Sequence, residues 1–315
     1  MLPIRDRLRG MKICSLLPSA TEILFALGLG DQVTGVSHEC DFPSEAKSRP
    51  VLIKSRISQT ESAASIDRQV RGFLDRGESL YSVDVDLLRE IEPDVIVTQD
   101  LCHVCAATPD DLSAALSQLG IQPKIVTLNP HSLADVCSDI RLISEATDSD
   151  EQANVLIAEF ENEIANVERS VAGLQRPRVL CLEWLDPAYV AGHWVPEMVQ
   201  RAGGVDVLGE PGTPSFRVEW EKVVESRPEV ILVMPCGYDL EAAEAELRSL
   251  PLPKGWEEIP AVKKGWVFAV DASGYFSRPG PRLAGGMGAM ASAIHSEELN
   301  AVAGSTAEGM LVRVA

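Results

Sequence analysis

The chain has 315 residues, 45% of them hydrophobic and 24% charged, enough apolar material for one large core or two ordinary ones. Its 47 acidic residues against 28 basic ones give a formal charge of −19. That field repels phosphate backbones and anionic membrane surfaces, which excludes nucleic acid as an expected partner. No stretch reaches the roughly 18 uninterrupted apolar residues of a membrane span, so no membrane insertion is expected.

"MKICSLL" at the start reads as a short buried strand, broken by Pro18-Ser19, after which "SATEILFALGLG" reads as a helix capped by Ser19 or Thr21 and ended by Gly28 and Gly30. This region imitates a signal peptide, with a basic start and an apolar stretch. Glu22 and the Pro-Ser-Ala-Thr break interrupt it, and no small-residue run precedes Cys14 as lipoprotein processing requires. Cytoplasmic residence is therefore expected from the sequence as written, with an extracytoplasmic or periplasmic location if the native start differs. Met11 is a credible start because the fold begins there. "QVTGVS" is a second strand, and 44 to 80 read as polar and irregular with a helix around "SIDRQVRGFL". "DVDLLREIEPDVIVTQD" reads as helix, proline stop and buried strand; "PDDLSAALSQLG" as a helix with proline start and glycine end; "PKIVTLN" as the next strand. Such alternation implies a parallel sheet with helices on both faces.

The rhythm breaks at "DSDEQANVLIAEFENEIANVERSVAGL" (148–174), a long helix with Ser149 as its cap and Val155, Ile157, Phe160, Ile164, Val167 and Val171 on one stripe. It has no strand partner nearby and reads as a bridge between two lobes. "VLCLEW" then resumes the alternation. "EIEPDVIVTQDLC" (90–102) and "ESRPEVILVMPCG" (225–237) share a helix end, Pro, an acid, an apolar strand and a cysteine, so the lobes read as structural repeats. The expected organisation is an N-terminal extension (1–10), an α/β lobe (11–147), the bridging helix (148–174), a second α/β lobe (175–300) and a C-terminal tail (301–315).

Taken in order, "SLLPSATEILFALGLGDQVTGVSHECDFPSEA", "LLREIEPDVIV", "GGVDVLGE", "WEKVVESRPEVILV" and "SRPGPRL" resemble the cobalamin and iron-chelate binding proteins of ABC importers, over about residues 11 to 295. The resemblance implies two Rossmann-like lobes joined by one long rigid helix, a ligand held in a cleft between them, little hinge motion, a monomer and no catalysis. The implied ligand is a corrinoid such as cobalamin, or else heme or an iron–siderophore complex, with no further cofactor required. It places Pro18 and Ser19 on the first binding loop. It also puts Glu39 where corrinoid-binding members carry an aromatic, a departure. It implies one acidic residue per lobe facing arginines of a permease, here Asp86 and Glu221.

In doubly wound sheets the loops at the carboxyl ends of strands form the ligand crevice. That rule selects "QDLCHVC" with Asp100, Cys102 and His103 in the first lobe, and Cys236 at the equivalent place in the second. The resemblance implies two further cleft loops in the second lobe, "EWLDPAYVAGHW" and "DASGYFSRPG", with Trp184, Tyr189, His193, Trp194, Asp271, Tyr275 and Phe276. The aromatics give a macrocycle flat apolar area with few torsions to fix, and His103 or His193 suits cobalt or iron as a neutral imidazole. His131 and His295 stand in no such context. Seven cysteines in a long chain suggest reduced thiols.

Three alternatives stay open for the cluster. Cys102 and Cys105 with His103, completed by His38 and Cys40, would make a zinc or iron site. His38, Glu39, Asp41, Asp100 and His103 would make a catalytic metal centre. Small residues filling a loop would also account for it. Gly285, Gly286 and Gly288 follow an arginine in a presumed helix, where they permit close packing and do not cradle phosphate.

Overall fold

The computed structural model describes residues 10–57, 63–76, 78–99, 112, 115–117, 119–251, 253–296 and 309–314. The chain partitions into two compact units. Unit 1 takes the chain through Pro130 together with Ala134–Ala158, and unit 2 takes His131–Leu133 and the chain from Glu159 on.

Unit 1 is built on six strands: β1 (Ile13–Ser15), β2 (Val33–Ser37), β3 (Val51–Ser55), β4 (Tyr81–Val83), β5 (Val95–Gln99) and β6 (Lys124–Leu128), in the order β4-β3-β2-β1-β5-β6. All neighbours are parallel except β3 and β4. Its helices are α1 (Pro18–Ala26), α2 (Ala63–Asp75), α3 (Val85–Ile91) and most of α4 (Leu133–Thr147). Helix α1 is capped two residues before Ser19 and four before Thr21, the expected caps. Leu17 is its N-cap and Pro18 its first residue, where a missing N–H and a fixed φ cost nothing. Thr21 therefore lies inside the helix, and its hydroxyl bonds Ser15 Oγ at 2.8 Å. Strand β3 lies within the region expected to be irregular, and β4 begins just past its end. They are short, and Lys54 and Ser82 expose one face, so the apolar pattern is thin.

Helix α5 (Asp150–Ser170) follows Ser149, as expected, and the boundary between the units falls inside it. Its buried stripe runs through Ala153, Ile157, Phe160 and Ile164, alternating steps of four and three. Val155 is off that stripe and 58% exposed.

Unit 2 has seven strands: β7 (Arg178–Leu185), β8 (Ala188–Val190), β9 (Val205–Asp206), β10 (Phe216–Arg217), β11 (Val230–Val233), β12 (Val267–Val270) and β13 (Leu311–Arg313). The order is β10-β8-β7-β11-β12-β13, with β9 pairing β7. The core β7-β11-β12 is parallel, while β8, β10 and β13 pair antiparallel on its two sides. Strand β13 thus returns part of the expected C-terminal tail to the sheet. The helices are α6 (Val195–Arg201), α7 (Trp220–Glu225), α8 (Leu240–Ser249), α9 (Pro260–Lys264), α10 (Ala272–Tyr275) and α11 (Leu283–Ile294). Leu180, Leu182, Ile231, Val233 and Val267 share one apolar cluster. In α11, a Cβ on Gly286 would stand 2.2 Å from Tyr275 O, so glycine lets the helix approach that carbonyl.

The internal repeat is carried down to single hydrogen bonds. Glu92 and Arg227, each just before a proline, both take left-handed φ, 50° and 47°. Asp94 accepts from the Lys12 N–H at 2.8 Å ahead of β1, and Glu229 accepts from the Arg178 N–H at 3.0 Å at the start of β7. The shared Pro-acid step thus pins each central strand to its neighbour in register.

Candidate functional site

In each unit the loops at the carboxyl ends of the parallel strands form a rim. In unit 1, β1 leads into Pro18 and Ser19, both buried, with Ser19 Oγ lacking a hydrogen-bond partner. Strand β2 leads into His38–Pro43. There His38 Nδ1 faces the Ile53 carbonyl at 3.2 Å and His38 Nε2 lies 3.7 Å from the half-buried Glu39. Phe42, 45% exposed, is on the same loop and was not singled out in the sequence. Cys40 is buried and takes a hydrogen bond from Thr21 Oγ1 at 3.0 Å. A cavity of about 200 Å³ beside this loop is lined by His38, Cys40, Asp41, Lys47 and Arg49, among others. Asp100, Cys102, His103 and Cys105 lie outside the described residues. Among the described residues no group of three or more His, Cys, Asp or Glu is placed to hold a metal ion.

The rim of unit 2 is a connected structure. "EWLDPAYV" is a β-hairpin, not a plain loop, because β7 runs straight into β8. The pairing sets Trp184 opposite Tyr189, so both side chains point to one face. Trp184 also meets Tyr238 edge-on at 5.7 Å. Tyr238 follows β11 in "PCGYD", two residues after the half-buried Cys236, and its carbonyl accepts from the Ser273 N–H after β12 at 2.9 Å. The Cys236 N–H in turn donates to Glu183 O at 3.1 Å. Three rim loops are thereby tied together. Tyr238 escaped the sequence reading because nothing local separates it from a turn residue.

Asp271 caps α10 by accepting from the Gly274 N–H at 2.7 Å, and Tyr275 lies beneath the Arg282 guanidinium at 5.4 Å. Burial raises the Asp271 carboxyl against the pull of that N–H and of Arg282 and Arg278. Burial likewise raises Glu246, with Asp186 adding repulsion, and raises Tyr238, with Glu246 adding to it. Trp194 and Phe276 are 5% and 1% exposed, and Trp194 Nε1 donates to Phe276 O at 2.8 Å. Their faces are used inside unit 2, which leaves Trp184, Tyr189, Tyr238 and Tyr275 as its half-buried rim aromatics.

Behind the hairpin a second set of bonds fixes the turn at His193. Glu183 accepts from Ser215 Oγ at 2.6 Å and from the Gly192 N–H, and burial raises its carboxyl despite both bonds. A Cβ on Gly192 would stand 2.3 Å from Ser215 N, so only glycine fits. His193 takes a left-handed φ of 54°, its N–H donating to Thr213 O at 2.6 Å and its carbonyl accepting from Gly212 at 2.9 Å. Its ring stacks on Trp194 at 5.6 Å. The imidazole of His131, which the sequence placed in no context, stands beside it.

The model of the periplasmic binding protein family matches residues 13–273. The chain belongs to that family. Among relatives of this periplasmic binding protein, the vitamin B12-binding protein of Vibrio cholerae is 24% identical over 274 residues, 86% of this chain and 84% of the relative. An ABC transporter substrate-binding lipoprotein of Bacillus subtilis, YvrC, is 25% identical over 293 residues, 91% of this chain and 80% of the relative. Two solved structures share the fold with a TM-score of 0.67 each. They are the periplasmic vitamin B12 binding protein BtuF of Vibrio cholerae, 21% identical over 91% of this chain and 97% of its own, and the heme-binding protein RhuT from Roseiflexus sp. RS-1, 24% identical over 91% and 98%. The parallel cores of both sheets, with helices between the strands, match the fold expected from the sequence. Among the described residues no helix is long and apolar enough to cross a membrane.

Proposed function

We propose that this periplasmic binding protein captures a corrinoid and presents it, chemically unchanged, to an ABC importer outside the membrane. The observation that carries the reading is the rim of unit 2, where Trp184, Tyr238 and Tyr275 at the ends of β7, β11 and β12, and Tyr189 on β8, stand among Asp186, Asp239, Glu246 and Asp271. Aromatic area suits a flat macrocycle. The carboxylates select among macrocycles. Heme carries two propionates and ferric siderophore complexes are commonly anionic, so both meet repulsion, whereas a corrinoid offers neutral amides around a cationic cobalt centre. The names of the relatives, which include vitamin B12-binding proteins and a substrate-binding lipoprotein, support the ligand class and the location.

Pro18, Ser19, Glu39 and Phe42 supply the rim of unit 1 in this reading, and Cys236 a half-buried thiol in that of unit 2. Asp86 and Glu221 are the docking acids for a permease. Each is exposed, is the second residue of its helix, and stands nine positions ahead of its repeat strand at Val95 or Val230. Titration of the reduced, metal-free protein with hydroxocobalamin, dicyanocobinamide and hemin tests the function. One-to-one corrinoid binding, weakened at least tenfold in Trp184→Ala and Tyr238→Ala, is expected. Hemin binding tighter than either corrinoid would sink the charge argument, and no binding of any of the three would sink the function.

A further inference from the structure

We propose that His131 and His193 form a two-imidazole site for a borderline divalent transition-metal ion of the nickel or zinc kind, its other coordination positions filled by water or by a small open chelate. The rings stand 5.5 Å apart, centroid to centroid, at 47° to one another. A metal about 2.1 Å from an imidazole nitrogen stands about 3.2 Å from the ring centroid. Two imidazoles sharing one metal at an angle of about 90° to 120° therefore have centroids about 4.5 to 5.5 Å apart. The observed pair falls at the upper end of that range.

The His193 ring and the segment that carries His131 are held in place before any ion arrives. The left-handed backbone at His193 is fixed by its bonds to Thr213 and Gly212, and its ring is backed by Trp194, itself anchored on Phe276. Such a conformation in a residue other than glycine persists where the surroundings over-determine it. Two residues after His131, the Leu133 N–H donates to Glu197 Oε2 at 2.9 Å. Glu197 is also held by Arg201 at 3.4 Å, and Arg201 by Glu168 at 2.7 Å, which ties the 131–133 segment onto α6. His193 Nδ1 is buried with no hydrogen-bond partner, a ring nitrogen with a bond unmade.

The site is separate from the corrinoid reading. A corrin or porphyrin fills four equatorial positions and leaves two that are opposite one another, whereas two imidazoles this close occupy adjacent positions. The ion it takes is therefore hydrated or held in an open chelate.

The test uses the full reduced chain, stripped of metal, titrated with Ni²⁺ by calorimetry and with Co²⁺ by absorbance. One equivalent should bind, without the intense thiolate-to-cobalt band that cysteine ligation gives. His131→Ala and His193→Asn should each weaken binding at least tenfold with the melting temperature unchanged, since asparagine tolerates the left-handed turn. Trp184→Ala should leave metal binding intact, which separates this site from the corrinoid surface. Binding unchanged in both histidine variants, a thiolate band, or no stoichiometric uptake would each overturn the assignment.

Discussion

Asp139, on α4, is 3% exposed and its carboxyl is pushed up to about 7. Burial is the main cause; the charge of Asp135 adds to it, and a backbone N–H from Asn129 works against it. One carboxyl oxygen, Oδ2, has no hydrogen-bond partner. Because the folded-state pKa lies above the unfolded value, the unfolded chain releases its proton first as pH rises. Stability is therefore full below the ordinary carboxylate range and falls as pH rises through about 7. The span from 3.8 to about 7, at about 1.4 kcal/mol per pH unit, is worth about 4 kcal/mol. Asp139→Asn keeps an acceptor for Asn129 and removes the ionisation. Urea unfolding of both proteins from pH 4.5 to 8.5 should show the variant's advantage growing by about 3 kcal/mol across that range, since every other titration cancels. A difference that stays flat would mean that the folded protein does not keep Asp139 protonated, and the reasoning fails.

Gly286→Ala places a methyl against the Tyr275 carbonyl, a backbone atom that cannot swing aside, so a loss of about 2 kcal/mol or more is expected by denaturant titration. A loss under 0.5 kcal/mol would show that α11 shifts freely. Asp86→Arg with Glu221→Arg should abolish ligand uptake by vesicles carrying the cognate permease while leaving corrinoid affinity in solution within twofold. Uptake at the parent rate would remove both acids from the docking surface.

Much of the fold was legible because its central strands are buried on both faces. β1, β5, β7 and β11 read as continuous apolar runs between helix stops and starts, and such runs belong to parallel sheets with helices outside; β12, equally apolar and buried, went unread. Several outer strands were not legible, although β6, an edge strand, was. β3 has only three apolar residues before Lys54 and Ser55, β4 has three residues with Ser82 in the middle, β10 has two residues, and β8 was hidden in a segment whose Asp186-Pro187 step reads as a loop. Helix α4 went unread although Val136, Ile140 and Ile143 give it a buried face.

The candidate site divides the same way. Sequence by itself determined the two-lobe α/β plan, the long helix after Ser149, the Pro-acid repeat and the segments that end on each rim, because each depends on local periodicity and on residues that start or stop elements. Only the tertiary structure decided which aromatics face outward. Trp194 and Trp184 share a segment, yet one is locked to Phe276 and the other stands with Tyr238, since Trp184 lies in the β7–β8 pairing whereas Trp194 heads α6. The meeting of His131 with His193 depended on it too. Those residues are far apart in the chain, and what joins them is the turn pinned by Glu183, Gly192 and Thr213 together with the bond from Leu133 to Glu197, none of which leaves a pattern in the sequence near either histidine.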